Sequence, residues 1–449
     1  MPDFTFPAGF LWGAATSAHQ VEGHNVNNDW WAWEQAGRVK EPSGVACDHY
    51  RRFREDFDLA KQLGHNTHRF SVEWSRIEPR EGEFNDEALA HYQDVVRALR
   101  ERGLEPVVTL HHFTNPLWLA KQDGWANPRV IERFAIYARR VGEALEVRYW
   151  VTMNEPIVYV WMHYLAGTGP PGEHNLTRAN RVIEHLARAH VAAYHALHEV
   201  AARFTARGTP SPARMVPARS ATRAGHRTQV GIATHLQPFL PCRRWWVPDG
   251  LVARLTHRAY NLNFLDAITE GRLRQLGKRT IAIADGRDCM DFLGAHYYGR
   301  AFMRSGSLKT NEWLGVRCDT RHHREVTERN ALGWDVYPPG VAEILRWGVP
   351  YHKPIFITEN GICTTDDAQR ERFILRHLAW VAQAIREGIP VIGYLYWSLL
   401  DNFEWAEGYG PRFGLVEMDY PTQTRRIRPS ARRFADVCRT NTLQPPVPT

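Results

Sequence analysis

The sequence predicts an α/β fold, a (β/α)₈ barrel or TIM barrel that forms a single domain with elaborated βα loops. Two observations predict it. Eight short apolar segments alternate with amphipathic segments along the 449 residues, a pattern typical of buried parallel strands joined by helices. The length agrees, because α/β barrels exceed the roughly 150 residues of an average domain. A doubly wound sheet is the alternative, but no GxGxxG sequence follows the first strand.

The eight predicted strands are short, apolar and bounded by loop residues. In chain order they are FLWGAA near Phe10, NTHRFSV near Asn66, EPVVTL near Glu105, VRYWVTM near Val147, QVGIATH near Gln229, DFLGAHYY near Asp291, PIFITEN near Pro354 and IGYLYW near Ile392. In a parallel barrel the carboxyl ends of all strands open on one face, where active sites are built.

Four predicted helices have clear amphipathic patterns. They are HYRRFREDFDLAKQLG, DEALAHYQDVVRALRERG, NPRVIERFAIYARRVG and ERFILRHLAWVAQAIREG. Each pattern ends at a glycine, as helices commonly do. The third helix is therefore predicted to end at Gly142.

The barrel domain is predicted over residues 1–440. A segment at about 206–228, rich in proline, arginine and small residues, interrupts the pattern and is predicted to be a flexible basic insertion. A contact arm for a partner or for nucleic acid is the alternative, but the segment lacks interleaved aromatic residues, which favours a solvated loop. Residues 441–449 are predicted to form a disordered tail.

Composition excludes several classes of protein. With 44% hydrophobic and 23% charged residues, the chain has a globular composition rather than a fibrous or disordered one. No apolar run approaches the roughly 20 residues that span a bilayer, and the N-terminal sequence lacks a signal-peptide pattern, so no membrane association is expected. A net charge of +7 over 449 residues is too dilute to indicate nucleic-acid binding.

Cysteine and histidine spacings indicate neither a disulfide framework nor a metal site. The six cysteines are widely spaced without a CxxC pair, which predicts reduced thiols and a cytoplasmic protein. Among the 22 histidines, no third ligand has a recognisable spacing and no HExxH occurs. We therefore predict no metal site.

Two glutamates follow predicted strands. Glu155 comes directly after the fourth strand and Glu359 after the seventh, so both carboxylates should lie on the active face of the barrel. Glycoside hydrolysis needs such a pair, one acid to protonate the leaving oxygen and one carboxylate at the anomeric carbon. The alternative is that each glutamate caps a helix or forms a structural ion pair, and position alone leaves both interpretations open.

Motifs along the chain decide between them. In order they are FLWGAATSAHQVEG, RFSVEWSRIEP, TLHHFTNPLWL, TMNEP, DFLGAHYY, GWDVYPPG, ITENG, WSLLDNFEW and RFGLVEMDY. Through them the sequence resembles glycoside hydrolase family 1, the β-glucosidase family, over nearly its whole length. TMNEP and ITENG in this order and spacing carry the most specific part of the resemblance.

The resemblance implies catalytic roles for five residues. Glu359 is expected to be the nucleophile and Arg69 the positive charge that keeps it ionised. Tyr298 is expected to donate its hydroxyl to the same carboxylate. Glu155 is expected to be the acid/base, with a pKa raised by Glu359, and Asn154 to hold the sugar 2-hydroxyl. The implied chemistry retains the anomeric configuration and needs no cofactor.

The resemblance also implies a set of sugar-binding residues. They are Gln20 and His112 for hydroxyls, Glu404 for the 4- and 6-hydroxyls, Trp405 as an indole donor, Trp397 as the floor under the ring, Trp334 as an aglycone platform and Phe413 as a wall. Relatives acting on 6-phosphorylated sugars lack the carboxylate of Glu404, so an unphosphorylated sugar is expected. Glu155 argues against the thioglucosidase branch, where that position is glutamine.

The chain departs from the family pattern at three other positions. His296 stands where the family has asparagine near the nucleophile, so a change in local hydrogen bonding and pH dependence is expected. His111 and Phe113 flank His112 where tyrosine and tryptophan are common, which should alter the sugar site slightly.

Together these observations predict a retaining β-glucosidase that works through a covalent glycosyl-enzyme. Its 4-hydroxyl contacts accept either epimer, so β-galactoside and β-fucoside hydrolysis are expected as well. The expected partner is a small β-glycoside or oligosaccharide. A transglycosylase that uses the same intermediate is one alternative, and a catalytically silent carbohydrate-binding barrel, which should have lost a carboxylate, is another.

Overall fold

Eight parallel strands close into a barrel in the computed structural model, which describes residues 3–206, 228–275, 277–306 and 315–444. The barrel strands are β1 (Leu11–Ala15), β2 (Thr67–Ser71), β3 (Glu105–His111), β4 (Tyr149–Asn154), β5 (Gln229–His235), β6 (Phe292–Tyr297), β7 (Ile355–Asn360) and β8 (Val391–Trp397). Neighbours in the chain are neighbours in the barrel, and β8 pairs with β1 to close it. Each strand falls within or overlaps its predicted segment, so the predicted (β/α)₈ barrel is confirmed.

The barrel interior holds an apolar cluster of its own. Six different strands contribute to it, with the buried residues Val107, Tyr149, Val151, Ala233, Phe292, Phe356 and Leu395. Side chains that converge from so many strands lie inside the barrel, where they form a packed core rather than a pore. The larger apolar cluster joins the outer faces of the strands to the helices.

Helices surround the barrel and also occupy its loops. The α-helices are Ala18–Val21, Asp29–Gln35, His49–Gln62, Trp74–Ile77, Asp86–Glu101, Leu117–Ala120, Val130–Leu145, Pro156–Val160, Leu176–Ala206, Val247–His257, Asn263–Thr269, Pro339–Gly348, Asp367–Arg386 and Pro429–Thr440. The predicted end at Gly142 is wrong, because that helix continues to Leu145. Gly142 instead packs against the next long helix, where an added Cβ would lie 2.9 Å from Leu197 Cδ2.

The two ends of the described chain pair with each other. Thr442–Leu443 forms an antiparallel pair of short strands with Phe4–Thr5, so these two residues do not belong to the predicted disordered tail. Asn441 also donates a hydrogen bond from its side chain to the Phe6 carbonyl at 2.7 Å. Residues 445–449 and nearly all of the predicted insertion at 206–228 lie outside the described residues.

Additional strands build the loops around the barrel. They are the antiparallel pair Val416–Asp419 with Thr424–Ile427, the pair Glu270–Arg274 with Thr280–Arg287, and a three-stranded sheet of Phe239–Pro241, Ala301–Arg304 and Val316–Arg317. No described helix is long and apolar enough to cross a bilayer.

One disulfide corrects the prediction of reduced thiols. Cys242 and Cys318 directly follow the two outer strands of the three-stranded sheet, and their Cα atoms are 6.2 Å apart. They are 76 residues apart in sequence, so spacing alone gave no sign of the pair. The other four cysteines are buried and free.

Candidate active site

Glu155 and Glu359 meet at the carboxyl end of the barrel. Glu155 directly follows β4 as predicted, whereas Glu359 does not follow β7 but is its next-to-last residue, and both are buried. One oxygen of each carboxylate lies within 4.8 Å of the other. Retaining glycosidases separate their carboxyl groups by about 5–5.5 Å and inverting ones by about 6.5–9.5 Å, so the arrangement fits retention.

Irregular strand ends aim these side chains into the pocket. The register of pairing shifts close to Asn154 in β4, at His296 in β6 and around Glu359 in β7. Such bulges turn side chains next to active sites. Gly361 permits the tight approach of β7 and β8, because an added Cβ would lie 1.9 Å from the Trp397 carbonyl oxygen.

Arg69 holds the nucleophile side of the site together. It lies in β2, is 1% exposed, and donates from Nη1 to Glu359 Oε1 at 2.5 Å and from Nη2 to Asn154 Oδ1 at 2.6 Å. Its Nε donates to Thr109 Oγ1 on the neighbouring strand at 2.9 Å. Thr109 was not predicted, although its place in TLHH one strand away from Arg69 was the available signal.

Tyr298 completes the contacts of Glu359. Its hydroxyl donates to Glu359 Oε2 at 2.7 Å, so both oxygens of this carboxylate accept a hydrogen bond. Hydrogen bonds to an ionised carboxylate favour its charged form, which is the form a nucleophile needs.

The environment separates the proton affinities of the two glutamates. Burial and then the neighbouring charge of Glu359 raise the pKa of Glu155 well above its usual value. Burial also raises the pKa of Glu359, but Arg69 and Tyr298 act against it. Two carboxyl groups whose pKa values are driven apart can serve as an acid and a nucleophile in one pocket.

His296 lies between the two carboxylates. Its Nδ1 is 2.7 Å from Glu155 Oε1 and 3.3 Å from Glu359 Oε2, while its Nε2 is 3.3 Å from Arg69 Nη1. The ring is fully buried. Sequence comparison with the family identified this residue as a departure, but not its contact with both glutamates.

Gln20 and Glu404 form a polar corner of the pocket. Gln20 Nε2 lies 2.9 Å from the Phe403 carbonyl and 3.4 Å from Glu404 Oε2, and its Oε1 accepts from Ser17 Oγ at 2.6 Å. Desolvation and the charge of Glu359 raise the pKa of Glu404 to about 8. The negative charge of Glu359 therefore makes Glu404 harder to ionise.

Indole rings flank His112, which directly follows β3. The imidazole is nearly parallel to the ring of Trp397, with centroids 5.9 Å apart, and to that of Trp405, with centroids 6.2 Å apart. All three side chains are buried, and His112 Nδ1 has no hydrogen-bond partner. The predicted sugar-binding residues Gln20, His112, Trp397, Glu404 and Trp405 thus come together.

A second aromatic group lies beside the nucleophile. Tyr298, Trp334 and Phe413 approach one another with ring centroids 6.1–6.4 Å apart. They pack with Trp397 in one apolar cluster. Phe413 is buried while Trp334 is only partly so, which suits the wall and platform positions predicted for them.

Two groups of described residues have ligand atoms close enough for a metal ion. They are Glu155, His296 and Glu359, and Cys242, Cys318 and His323. In the first group the guanidinium of Arg69 already contacts Glu359 and His296, and its positive charge opposes a cation. In the second group the two sulfur atoms are bonded to each other.

Comparisons with known proteins agree with this geometry. The model of the family described as Glycosyl hydrolase family 1 matches residues 3–443. The chain is 31% identical to Beta-glucosidase A of Thermotoga maritima over 98% of this chain and 99% of that protein, and 28% identical to a Beta-galactosidase of Pyrococcus woesei over 94% of each. Among solved structures, a beta-glycosidase from Pyrococcus horikoshii has a TM-score of 0.88 at 38% identity, covering 99% of this chain and 97% of that one.

Proposed function

Because the chain belongs to glycosyl hydrolase family 1 and is a retaining β-glycosidase, we propose that it hydrolyses terminal, non-reducing β-D-glucosyl residues. We propose β-D-galactosides and β-D-fucosides as further substrates. The Gln20–Glu404 pair opposite the nucleophile carries this assignment. The names of the relatives, which include beta-glucosidases and beta-galactosidases, support it.

In the proposed reaction, Glu359 attacks C1 of the sugar while Glu155 protonates the departing glycosidic oxygen. A bond forms between C1 and the Glu359 carboxylate as the bond from C1 to the aglycone breaks. Water then attacks C1, Glu155 accepts its proton, and the ester to Glu359 breaks. Two displacements at one carbon leave the β configuration unchanged.

The hydrogen bonds around the nucleophile support these roles. Arg69 and Tyr298 stabilise the carboxylate of Glu359, whereas Glu155 has the raised pKa of an acid that keeps its proton. Once Glu359 is esterified its charge is lost, which lowers the pKa of Glu155 and suits it to act as a base. Asn154 Oδ1 accepts from Arg69, so its NH₂ group is the part left to hold the sugar 2-hydroxyl.

Glu404 is proposed to accept hydrogen bonds from the 4- and 6-hydroxyls. Glu404 offers no positive charge to a phosphate at the 6-position, and its ionised form would repel one. We expect release of nitrophenol from the β-D-glucoside, the β-D-galactoside and the β-D-fucoside, and none from the 6-phospho-β-D-glucoside. Turnover of the phosphorylated substrate alone would overturn the proposal.

The substitution Glu404→Gln tests the sugar contacts. We expect kcat/KM for p-nitrophenyl β-D-glucoside to fall by about 10–100-fold, because the amide NH₂ replaces an oxygen that accepts from the sugar, and a buried polar group left without its partner costs about 1–3 kcal/mol. The fucoside, which has no 6-hydroxyl, should lose less. Glu417→Gln is the matched control, because Glu417 is exposed on the loop strand Val416–Asp419 and is not among the charges that shift the pKa of Glu404. An equal loss for glucoside and fucoside would contradict a 6-hydroxyl contact.

Hydrolysis is favoured over transfer because the curated relatives are named as glycosidases and glucohydrolases. A transferase would share the glycosyl-enzyme but release it to an alcohol. Product analysis with added acceptor alcohol separates the two, and hydrolysis should dominate. The silent-barrel alternative is not supported, since both carboxylates and Arg69 are present and in contact.

A further inference from the structure

We propose that His296 is a positioning residue that fixes the catalytic proton on one oxygen of Glu155. This inference rests on the proposed roles of Glu155 and Glu359. The geometry that carries it is the imidazole placed between the two carboxylates, with Nδ1 2.7 Å from Glu155 Oε1 and 3.3 Å from Glu359 Oε2. No other side chain in the described part of the chain forms a hydrogen bond with Glu155.

Arg69 decides which nitrogen of His296 carries the hydrogen. A guanidinium donates hydrogen bonds and accepts none, and Arg69 Nη1 lies 3.3 Å from Nε2. Nε2 is therefore the acceptor and Nδ1 carries the hydrogen. The opposite tautomer would set two donors against each other and would let Nδ1 accept the proton of Glu155.

The ring remains neutral in this setting. The groups that face it are His235 and Glu359 from the two neighbouring strands, and Arg69, His112 and Glu155 from strands farther round the barrel. Burial, followed by the positive charge of Arg69, holds the pKa of His296 well below its usual range. A neutral imidazole whose Nδ1–H is fixed toward Glu155 thus acts as a hydrogen-bond donor across the working pH range.

The consequence for Glu155 is a choice between its two oxygens. The Nδ1–H donates to Oε1, so the acidic proton resides on Oε2, the oxygen free to face the departing glycosidic oxygen. The same donor favours the ionised form of Glu155 in the second step, when it must act as a base. Because Glu359 also lies near Nδ1, the ring links the orientations of both carboxylates.

Removing the imidazole tests this role. In His296→Ala the lost donor should raise the pKa of Glu155, and we expect the alkaline limb of kcat/KM to move up by about one pH unit, a tenfold change in the ionisation constant. kcat/KM for phenyl β-D-glucoside, whose leaving group needs the proton, should fall by about tenfold. The 2,4-dinitrophenyl β-D-glucoside, whose leaving group needs none, should lose much less.

Conservative and matched variants separate positioning from structural damage. His296→Asn provides an amide N–H at the family position. Its alkaline limb should therefore lie close to that of the wild type, without most of the shift expected for His296→Ala. His235→Ala removes an equivalent ring from the paired position on β5, which hydrogen-bonds Tyr260 rather than a carboxylate, and should leave the alkaline limb in place. Equal losses on both substrates in His296→Ala, or an unshifted limb, would overturn the proposal.

A measurement independent of activity closes the test. With ¹⁵N-labelled histidine, the signals missing from His296→Asn identify His296 among the 22 histidines. We expect the Nδ1–H tautomer between pH 5 and pH 8, and an Nε2–H tautomer or a charged ring would overturn the proposal. If wild-type protein hydrolyses neither aryl glucoside, the proposed function fails, and the tautomer still decides the role of His296.

Discussion

Replacing Glu359 with alanine lowers kcat for p-nitrophenyl β-D-glucoside by about 10⁵-fold, because the reaction loses the group that bonds to C1. Glu359 is held by Arg69 and Tyr298, one donor on each oxygen. Glu155 cannot replace it as the nucleophile, because Glu155 is needed as the acid that protonates the departing oxygen. The measurement is the initial rate of nitrophenol release by purified wild-type and variant protein.

Azide distinguishes loss of the nucleophile from loss of the fold. The side chain removed in Glu359→Ala leaves space for a small anion beside Arg69, and azide can attack C1 from the face that Glu359 occupied. The expected product is α-D-glucosyl azide, with inverted configuration, formed from an activated β-glucoside. Glu387→Ala, at a surface residue that pairs with Arg346, should keep wild-type activity. A β-configured azide from Glu359→Ala would contradict the assigned role.

Much of the fold followed from sequence because barrel strands are local patterns. A buried parallel strand has to be a short apolar run, and all eight such runs form strands of the barrel. The position of Glu155 directly after β4 then placed it on the active face without knowledge of any contact. Family motifs added the residues that converge from distant loops, such as Gln20 and Glu404, which are 384 residues apart.

The features that sequence did not reveal depend on three-dimensional packing. The Cys242–Cys318 bond forms because two loop strands flank Ala301–Arg304. Gly142 lies inside its helix rather than at the end, where it serves close packing, because its neighbour Leu197 leaves no room for a side chain there. The contact of His296 with both glutamates follows from a shift in register between β6 and β7. None of these leaves a periodic or motif signal along the chain.

Replacing Glu155 should produce losses that depend on the leaving group. In Glu155→Ala we expect kcat/KM for phenyl β-D-glucoside to fall by about 10²–10⁴-fold, the usual contribution of general acid catalysis. For 2,4-dinitrophenyl β-D-glucoside, kcat/KM should change little, because that phenolate departs without a proton. Its kcat should fall instead, because water then attacks the glycosyl-enzyme without a base. Glu143→Ala, at an exposed glutamate on a nearby helix, is the control.

The pH profile of a second variant, Glu155→Gln, provides an independent test. In the wild type the acid must be protonated, and the raised pKa of Glu155 means that kcat/KM persists at neutral pH and falls as pH rises through that pKa. The acidic limb reflects Glu359, which must be ionised, so activity falls as pH drops through its pKa. In Glu155→Gln the alkaline limb should vanish while the acidic limb remains.

Azide should accelerate Glu155→Ala and yield β-D-glucosyl azide, because it attacks the glycosyl-enzyme from the side opposite Glu359. An α-azide from this variant would mean that the two glutamates have exchanged roles.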